Sequence, residues 1–421
     1  MYQFYYKENK FKGKTPIYTP NEDIQFTKDT WDASKYIETD EKLDDVVAKL
    51  KDSLSFTGMD MTSYCTPYAL AYHYFLKTIR GKFELYIPTD AQTNFILKAN
   101  YKYPCVRPSG TYDNDYYVQI DVNALFWVVM REKSYPCDVP IWDSGELECF
   151  KLREKLNKSS RNTTYHFVEC DVEVNEECRL HLLPNENGRW NYKGNITKGV
   201  YTSLDLHLAV KYGGYKITKV HRFLKFLKSG KVFKEAVEAM RLAKIETEKK
   251  HGKKYAKVIK KMYTGLYGKT LQVRKVKTKK AKDVRDVSDF IKKHDKVTLG
   301  ETSISATTLC NAPVYLGCFI QAFARQHMFK YYDMLDVFRK APTRCFYSKV
   351  DSLLITRADY EKHFKHKVSD DYGGFKIEVD NIKRVIVVKE NSYCMEKDDG
   401  TVVTKGTMKT LGEFQSAVRT V

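Results

Sequence analysis

Val118-Gln-Ile-Asp-Val-Asn-Ala-Leu-Phe-Trp127 reads as a strand that delivers Asp121 and then turns into an apolar stretch ending at Met130. Two further stretches share its character. Phe346-Tyr-Ser-Lys-Val-Asp-Ser352 places Asp351 at a hairpin tip between short apolar strands over 345–350 and Ser352–Thr356. Between them, Lys260-Lys-Met-Tyr-Thr-Gly-Leu-Tyr-Gly-Lys269 falls late in a basic helix. Each stretch alone is ordinary. An Asp at a strand end is commonly a cap or turn residue, a helix lysine is commonly solvated, and Tyr-Gly commonly ends a helix. In this order, two separated carboxylates and a lysine-bearing helix supply what metal-assisted phosphoryl transfer needs. Mg2+ takes oxygen ligands, few of them from protein, with phosphate and water supplying the rest. A helix lysine then balances triphosphate charge.

Composition agrees with an anionic partner. The chain has 421 residues, with 72 Lys+Arg against 53 Asp+Glu, a net charge of +19. Nucleic acid is the commonest partner for such a balance, although ribosomal, membrane-surface and polyanion-binding proteins share it. The length allows roughly two to four domains. Apolar residues at 43% and aromatics at 14% exclude a disordered chain. The longest apolar runs, 122–130 and 314–324, fall short of the roughly 18 residues a membrane span needs. No basic segment leads into an apolar stretch at the start, so membrane and secreted readings are set aside and an intracellular place is expected. Ten cysteines are scattered without a Cys-x-x-Cys pair, which argues against a zinc ribbon and for reduced thiols.

Periodicity fills in the rest. Helices are expected over Leu43–Leu54, 63–79, 204–211, 233–250 and 254–266, with 314–339 a long buried helix or helix pair. Strands are expected over 83–88, 116–121 and 215–223, with hairpin strands over 167–183 and a β-rich tail from Asp370. Segment 233–266, broken at His251-Gly252, suggests an antiparallel helical hairpin. Segment 269–282 holds seven Lys/Arg and no acid.

At these residues the chain resembles a family B DNA polymerase of the protein-primed type, found in bacteriophages, linear plasmids and related viral elements. That family writes motif A as Asp-x-x-Ser-Leu-Tyr-Pro, matched by Asp121-Val-Asn-Ala-Leu-Phe-Trp127. A Pro-x-Gly-x-Pro turn follows, matched by Pro136-Cys-Asp-Val-Pro140. Motif B, Lys-x-x-x-Asn-Ser-x-Tyr-Gly, is matched by Lys260, Thr264, Gly265, Tyr267 and Gly268. Motif C, Tyr-x-Asp-Thr-Asp-Ser, is matched by Tyr347-Ser-Lys-Val-Asp-Ser352, and Gly373-Gly-Phe-Lys-Ile-Glu378 fits a later Gly-aromatic-x-x-Glu element loosely. The resemblance covers about 45–410, and the order and spacing of the motifs make it specific.

The resemblance implies an α+β right-hand polymerase: a palm of antiparallel sheet, helical-hairpin fingers and a short thumb, beside a remnant of an exonuclease domain. The implied segments are an exonuclease remnant (1–98), palm (99–140 and 314–400), an insertion like the priming-protein docking region (141–230), fingers (231–269), a basic insertion loop (270–313) and a truncated thumb (401–421). Asp121 and Asp351 would hold two Mg2+ or Mn2+ ions, with the Val122 carbonyl as a further ligand. Lys260, Lys244 and Arg241 would clamp the incoming dNTP, Phe126 would exclude a 2′-hydroxyl, and Tyr267 would pack on the nascent base pair. Tyr347, Ser352, Lys389 and Tyr393 would meet the DNA primer-template. Lys275 and Lys279 belong either to a loop that encircles DNA or to a solvated basic loop. Implied partners are a terminal priming protein and a separate exonuclease chain. Of the three exonuclease motifs only Phe56-Thr-Gly-Met-Asp60 matches, so proofreading by this chain is not expected.

Departures from the family pattern leave alternatives open. Ala124, Trp127, Thr264, Gly265 and Asn391 replace family residues, and Lys349 stands where motif C has its first Asp. Residues two apart on a strand share a face, so the Lys349 ammonium is expected beside Asp351, where it would disfavour Mg2+. The leading reading is DNA-directed DNA polymerase, a nucleotidyltransferase of DNA replication. The alternative is a weakened or inactive polymerase-derived protein that binds DNA or a partner; an unrelated basic scaffold would need all three motifs to coincide by chance.

Overall fold

The computed structural model describes residues 43–61, 64, 66–101, 106, 109–158, 165–190, 192–272, 297–300, 303–306, 312–339 and 344–419. In chain order the helices of eight or more residues among these are α1 (Leu43–Leu54), α2 (Pro67–Ile79), α3 (Asp90–Leu97), α4 (Leu125–Glu132), α5 (Glu146–Asn157), α6 (Ser203–Gly213), α7 (Lys234–His251), α8 (Lys253–Thr270), α9 (Val314–Met334) and α10 (Leu411–Val418). The strands are β1 (Gly110–Tyr112), β2 (Tyr117–Val122), β3 (Tyr135–Pro136), β4 (Ile141–Asp143), β5 (Tyr165–Glu173), β6 (Ile196–Thr202), β7 (Lys216–Phe226), β8 (Ser229–Gly230), β9 (Val297–Gly300), β10 (Ser303–Ala306), β11 (Cys345–Lys349), β12 (Ser352–Thr356), β13 (Phe375–Lys389), β14 (Ser392–Lys397) and β15 (Val402–Lys405). The chain divides into two units. One takes residues up to Leu97, Met130–Pro140 and Leu227–Cys318; the other takes Lys98–Val129, Ile141–Phe226 and the residues from Phe319.

The second unit is built on an antiparallel sheet of order β11-β12-β2-β13-β14-β15, with β1 also paired to β13. β2 lies inside it and is buried at every position but Asp121; its polar residues are Gln119 and Asp121, which share one face. Alternation along β13 sorts side chains to the two faces. Val385 and Val387 join Tyr117, Leu354 and Met395 on one face, while Ile386 and Val388 meet Phe414 of α10 on the other. α10 starts at a capping box, Thr410 with Glu413. A second sheet in this unit, order β4-β7-β5-β6, carries α5 and α6. Beneath α6, Arg325 of α9 donates to Asp205 through Nε and Nη2, at 2.8 and 2.9 Å. Both side chains are excluded from solvent, and the guanidinium lies 4.4 Å from the Tyr101 ring.

In the first unit, α7 and α8 join at Gly252 and pack on each other and on α2. α7 buries Ala236, Val237, Met240, Ala243 and Thr247 on one stripe. α8 comes so close to α2 that a Cβ on Gly265 would stand 2.0 Å from the Tyr68 ring. At the far end of the hairpin, Asp52 of α1 accepts from Lys250 (2.8 Å) and His251 (2.6 Å), and these bonds hold its carboxyl below the ordinary range.

Several sequence expectations need correction. Residues 83–88 form no strand. The Tyr86 N–H donates to the Tyr315 hydroxyl at 3.3 Å, so a side chain takes the place of a ladder partner. The helix expected from residue 63 begins at Pro67, where Thr66 caps it by accepting from the Ala69 N–H. The hairpin expected inside 167–183 is instead β5 paired with β6, across a long connection over 174–195. The basic segment lies outside the described residues from 273 to 296, which includes Lys275 and Lys279. The cysteines described as free, among them Cys170, Cys318 and Cys394, are buried. No helix among the described residues is long and apolar enough to cross a membrane.

Candidate active site: a carboxylate pair on the antiparallel sheet

Register delivers the site. Ser352 of β12 pairs with Asp121 on one side, and Lys376 of β13 pairs with it on the other. Lys349 pairs with Ser352, which leaves Val350 and Asp351 as the two turn residues of the β11–β12 hairpin. Val350 has φ 64°, a left-handed conformation costly for a β-branched residue. The Asp351 carbonyl accepts the Val122 N–H at 2.9 Å, which ties the turn to the end of β2. The Asp121 and Asp351 carboxyls thereby come within hydrogen-bonding reach of each other.

Beyond β2 the chain turns through Asn123 and Ala124, the latter at φ 53°. The Asn123 N–H donates to the Gly374 carbonyl and its carbonyl accepts the Gly373 N–H, both at 2.8 Å. Its side chain donates to the Ser369 carbonyl at 2.9 Å. The Gly373-Gly374 turn is thus held against motif A, and it launches β13 with Lys376 and Glu378 beside Asp121.

Charge is crowded here. The Lys376 ammonium lies 3.4 Å from Asp121 and 3.0 Å from Glu378. Burial, then the Asp351 charge, push the Asp121 carboxyl up to about 7, with Glu378 adding to the rise and Lys376 opposing it. Burial also raises Asp351, with Glu378 again adding and Lys376 opposing. Two ionised carboxyls this close repel each other. That donor set fits a divalent cation, which satisfies both carboxylates at once. Among the described residues no group of three or more His, Cys, Asp or Glu side chains is arranged as metal ligands. The fit therefore rests on a carboxylate pair, a set Mg2+ accepts when substrate phosphate and water complete its shell.

The other expected residues fall as follows. Lys349 is a correction: its ammonium is taken by Glu390 at 2.8 Å and by the Asn391 side-chain oxygen at 2.9 Å. The face-sharing rule holds along a strand and fails here because Asp351 lies in a turn. Tyr347 is buried, its ring 4.5 Å from that of Tyr393 and its hydroxyl accepting the Asn391 N–H. Tyr393 is also buried, and its hydroxyl accepts from Gln119 at 3.4 Å. The Ser352 hydroxyl donates to the Lys349 carbonyl at 3.2 Å, closing the turn. Lys389 is exposed at the end of β13, Phe126 is half-buried, and Trp127 is buried edge-on against Tyr372. Beside the pair lies a groove of about 410 Å³ lined in part by Gln119, Lys376, Glu378, Tyr393 and Lys405.

In the first unit, α7 carries Arg241 and Lys244, the latter 3.2 Å from Glu248, and α8 carries Lys260, Thr264, Gly265 and Tyr267. Lys260 is exposed and Tyr267 half-buried. The Thr264 hydroxyl donates back to the Lys260 carbonyl at 3.0 Å, and Gly265 is dictated by the Tyr68 ring. Phe56 meets the Tyr74 ring edge-on at 5.3 Å, and Asp60 is exposed in the loop that follows. No role is expected from sequence for Lys376, for Glu390 or, beyond its place in the Gly373–Glu378 element, for Glu378. Their place is set by cross-strand register, and the only sequence signal was the Gly-Gly-Phe-Lys-Ile-Glu element itself.

Three comparisons bear on this arrangement. In solved structures the chain is similar to phi29 DNA polymerase complexed with primer-template DNA in a post-translocation binary complex, with TM-score 0.60 and 17% identity over 95% of this chain and 70% of that one. It is similar also to the phi29 ternary complex with primer-template DNA and incoming nucleotide substrates, with TM-score 0.59 and 16% identity over 94% and 70%. The orthorhombic crystal form of phi29 DNA polymerase gives TM-score 0.54 and 18% identity over 85% and 60%. The chain thus spans 60% to 70% of the phi29 chains it matches. No curated protein matches it by sequence. The family model described as "DNA polymerase type B, organellar and viral" matches residues 2–336. That span exceeds half of the chain, and the protein belongs to the organellar and viral type B DNA polymerases.

Proposed function

We propose that this chain is a metal-dependent DNA polymerase that adds nucleotides from dNTPs to a primer hydroxyl on a DNA template. The observation that carries the reading is the Asp121–Asp351 pair, two half-buried carboxyls brought together on adjoining elements of a family B sheet. These two residues, with the Val122 carbonyl, would hold Mg2+ or Mn2+. When bound, such ions lower the proton affinity of an attacking hydroxyl and neutralise a pyrophosphate leaving group. The protein's own part is to hold both carboxylates against their repulsion and to fix their direction through the Val122–Asp351 backbone bond. Lys376 moderates the excess negative charge. By their match to motif B and the helix before it, Arg241, Lys244, Lys260 and Tyr267 receive the dNTP. Phe126 discriminates against a 2′-hydroxyl, and the groove beside Tyr393 and Lys405, with Lys389, runs along the primer strand.

The segment roles follow the same reading: palm over 99–140 and 314–400, fingers over 231–269, a priming-protein docking insertion over 141–230, a basic loop over 270–313 and a thumb from 401. Within it, a priming protein supplies the first hydroxyl. We assign no proofreading to Phe56 and Asp60, because one exposed carboxylate does not hold two metals.

Primer extension by the purified chain with Mg2+ or Mn2+ tests the proposal, with Asp121→Asn and Asp351→Asn alongside. Extension that survives either substitution refutes the carboxylate assignment. A second reading, a polymerase-derived protein that binds DNA or a partner without catalysis, is favoured by one observation: the Lys376 ammonium already stands 3.4 Å from Asp121 as a resident cation. DNA binding by a native chain that extends no primer would select it.

A further inference from the structure

The ammonium of Lys349 and the turn of the neighbouring hairpin are fastened together. Lys389 pairs with Ser392, so Glu390 and Asn391 are the two turn residues between β13 and β14. Both hold Lys349, Glu390 at 2.8 Å and Asn391 Oδ1 at 2.9 Å. Asn391, at φ 57°, also donates its N–H to the Tyr347 hydroxyl at 3.1 Å. The tip that carries Asp351 is therefore joined to the next tip by three polar contacts, two through Lys349 and one through Tyr347.

That tip has reason to need fastening. Val350 is held in a left-handed conformation that a β-branched residue does not keep without surrounding support. Asp351 also faces a like charge in Asp121. A carboxylate at position 349, the residue type the family motif carries, would meet Glu390 and drive the two tips apart.

We propose that Lys349 and Glu390 form a lock that holds the Asp351 turn in register with Asp121. Lys349 is then a positioning residue of the site, and its departure from the motif is matched by the acid across from it. The inference rests on the polymerase reading and goes beyond it by giving a task to the residue that most departs from the family pattern.

A charge-exchange cycle in the purified full chain tests the lock: native protein, Glu390→Lys, Lys349→Glu, and the exchanged pair. The readouts are kcat and KM for dNTP in primer extension, affinity for Mn2+ alone by electron paramagnetic resonance titration, and the thermal midpoint. Glu390→Lys sets two ammoniums against each other. Its kcat is expected to fall about tenfold or more while KM stays within about threefold, because small misplacements of reacting groups cost rate before binding. Its Mn2+ affinity falls as well. The exchanged pair recovers most of both losses, which is the non-additivity of a direct contact. An exchanged pair no better than the worse single variant overturns the lock. So does a shift confined to the thermal midpoint, or a Lys349→Asp variant that extends primers faster than the native chain. Should the native chain extend no primer, the polymerase reading fails by itself, and the Mn2+ titrations decide the lock alone. Recovery of affinity in the exchanged pair supports it; equal affinity in all four proteins, or no recovery, overturns it.

Discussion

Carboxyls drawn in from the surface at two places in the same unit are treated in opposite ways. Asp205 is closed from solvent, yet each of its oxygens is met. Arg325 donates to both, and the Thr202 hydroxyl donates to Oδ2 at 2.6 Å. Asp121 and Asp351 are half-buried, but each has the other as its neighbour, and Lys376 offsets only part of the charge. Burial against an opposite charge makes a fastener. Burial against a like charge leaves electrostatic work undone, and an arriving cation can complete it.

The largest test of this contrast is Arg325→Met. It leaves Asp205 buried without its cation and is expected to cost about 3–5 kcal/mol in denaturant unfolding. A loss under about 1 kcal/mol would show that the Asp205 pair is not the fastener described. Next comes the pH response of the carboxylate pair in a chelator. The Asp121 carboxyl sits at about 7 against an ordinary 3.8, so between those values the folded chain binds more protons than the unfolded one. Its contribution is greatest below that window and is lost as pH rises through about 7. Stability should fall across the window by up to about 1.4 kcal/mol per pH unit. Thermal midpoints flat or rising from pH 5 to 7.5, set against Asp121→Asn as reference, would contradict this.

Asp121→Asn should abolish extension yet stabilise the metal-free protein near pH 8 by about 1–3 kcal/mol, since it removes the repulsion. The same class of change at Asp205 weakens the fold, so the sign of the effect separates site from scaffold. The smallest expected effect is that of Lys376→Met. Loss of this opposing charge pushes the Asp121 carboxyl further up, and the midpoint of the pH response in chelator should move to higher pH by a few tenths of a unit to about one unit. A downward move would mean that Lys376 does not act on the pair.

The two aspartates and the helical hairpin were legible from sequence because their signals are local: an apolar strand ending in Asp, apolar runs around a turn, and helical periodicity broken at Gly252. Their convergence was legible only through the order of the three motifs. What stayed hidden depends on register or on distant partners. Lys349 is expected beside Asp351 by a rule for strands; Val350 at positive φ puts Asp351 in a turn instead, and the Lys349 ammonium goes to Glu390. Lys376 reaches Asp121 only because β13 pairs with β2 in a particular register. Arg325 and Asp205 are far apart in the chain, and nothing near either residue announces the other. At 83–88, aromatic and β-branched residues mimicked a strand, and a single tyrosine hydroxyl took the backbone bond that a ladder would have used.

Asp52 grips Lys250 and His251 at the end of α7, where the chain reverses into α8. A lever pinned at its tip does not swing freely from its base. A displacement of the α7–α8 hairpin away from α1 must break both of Asp52's bonds, so Asp52→Ala removes that tether at the tip of the hairpin.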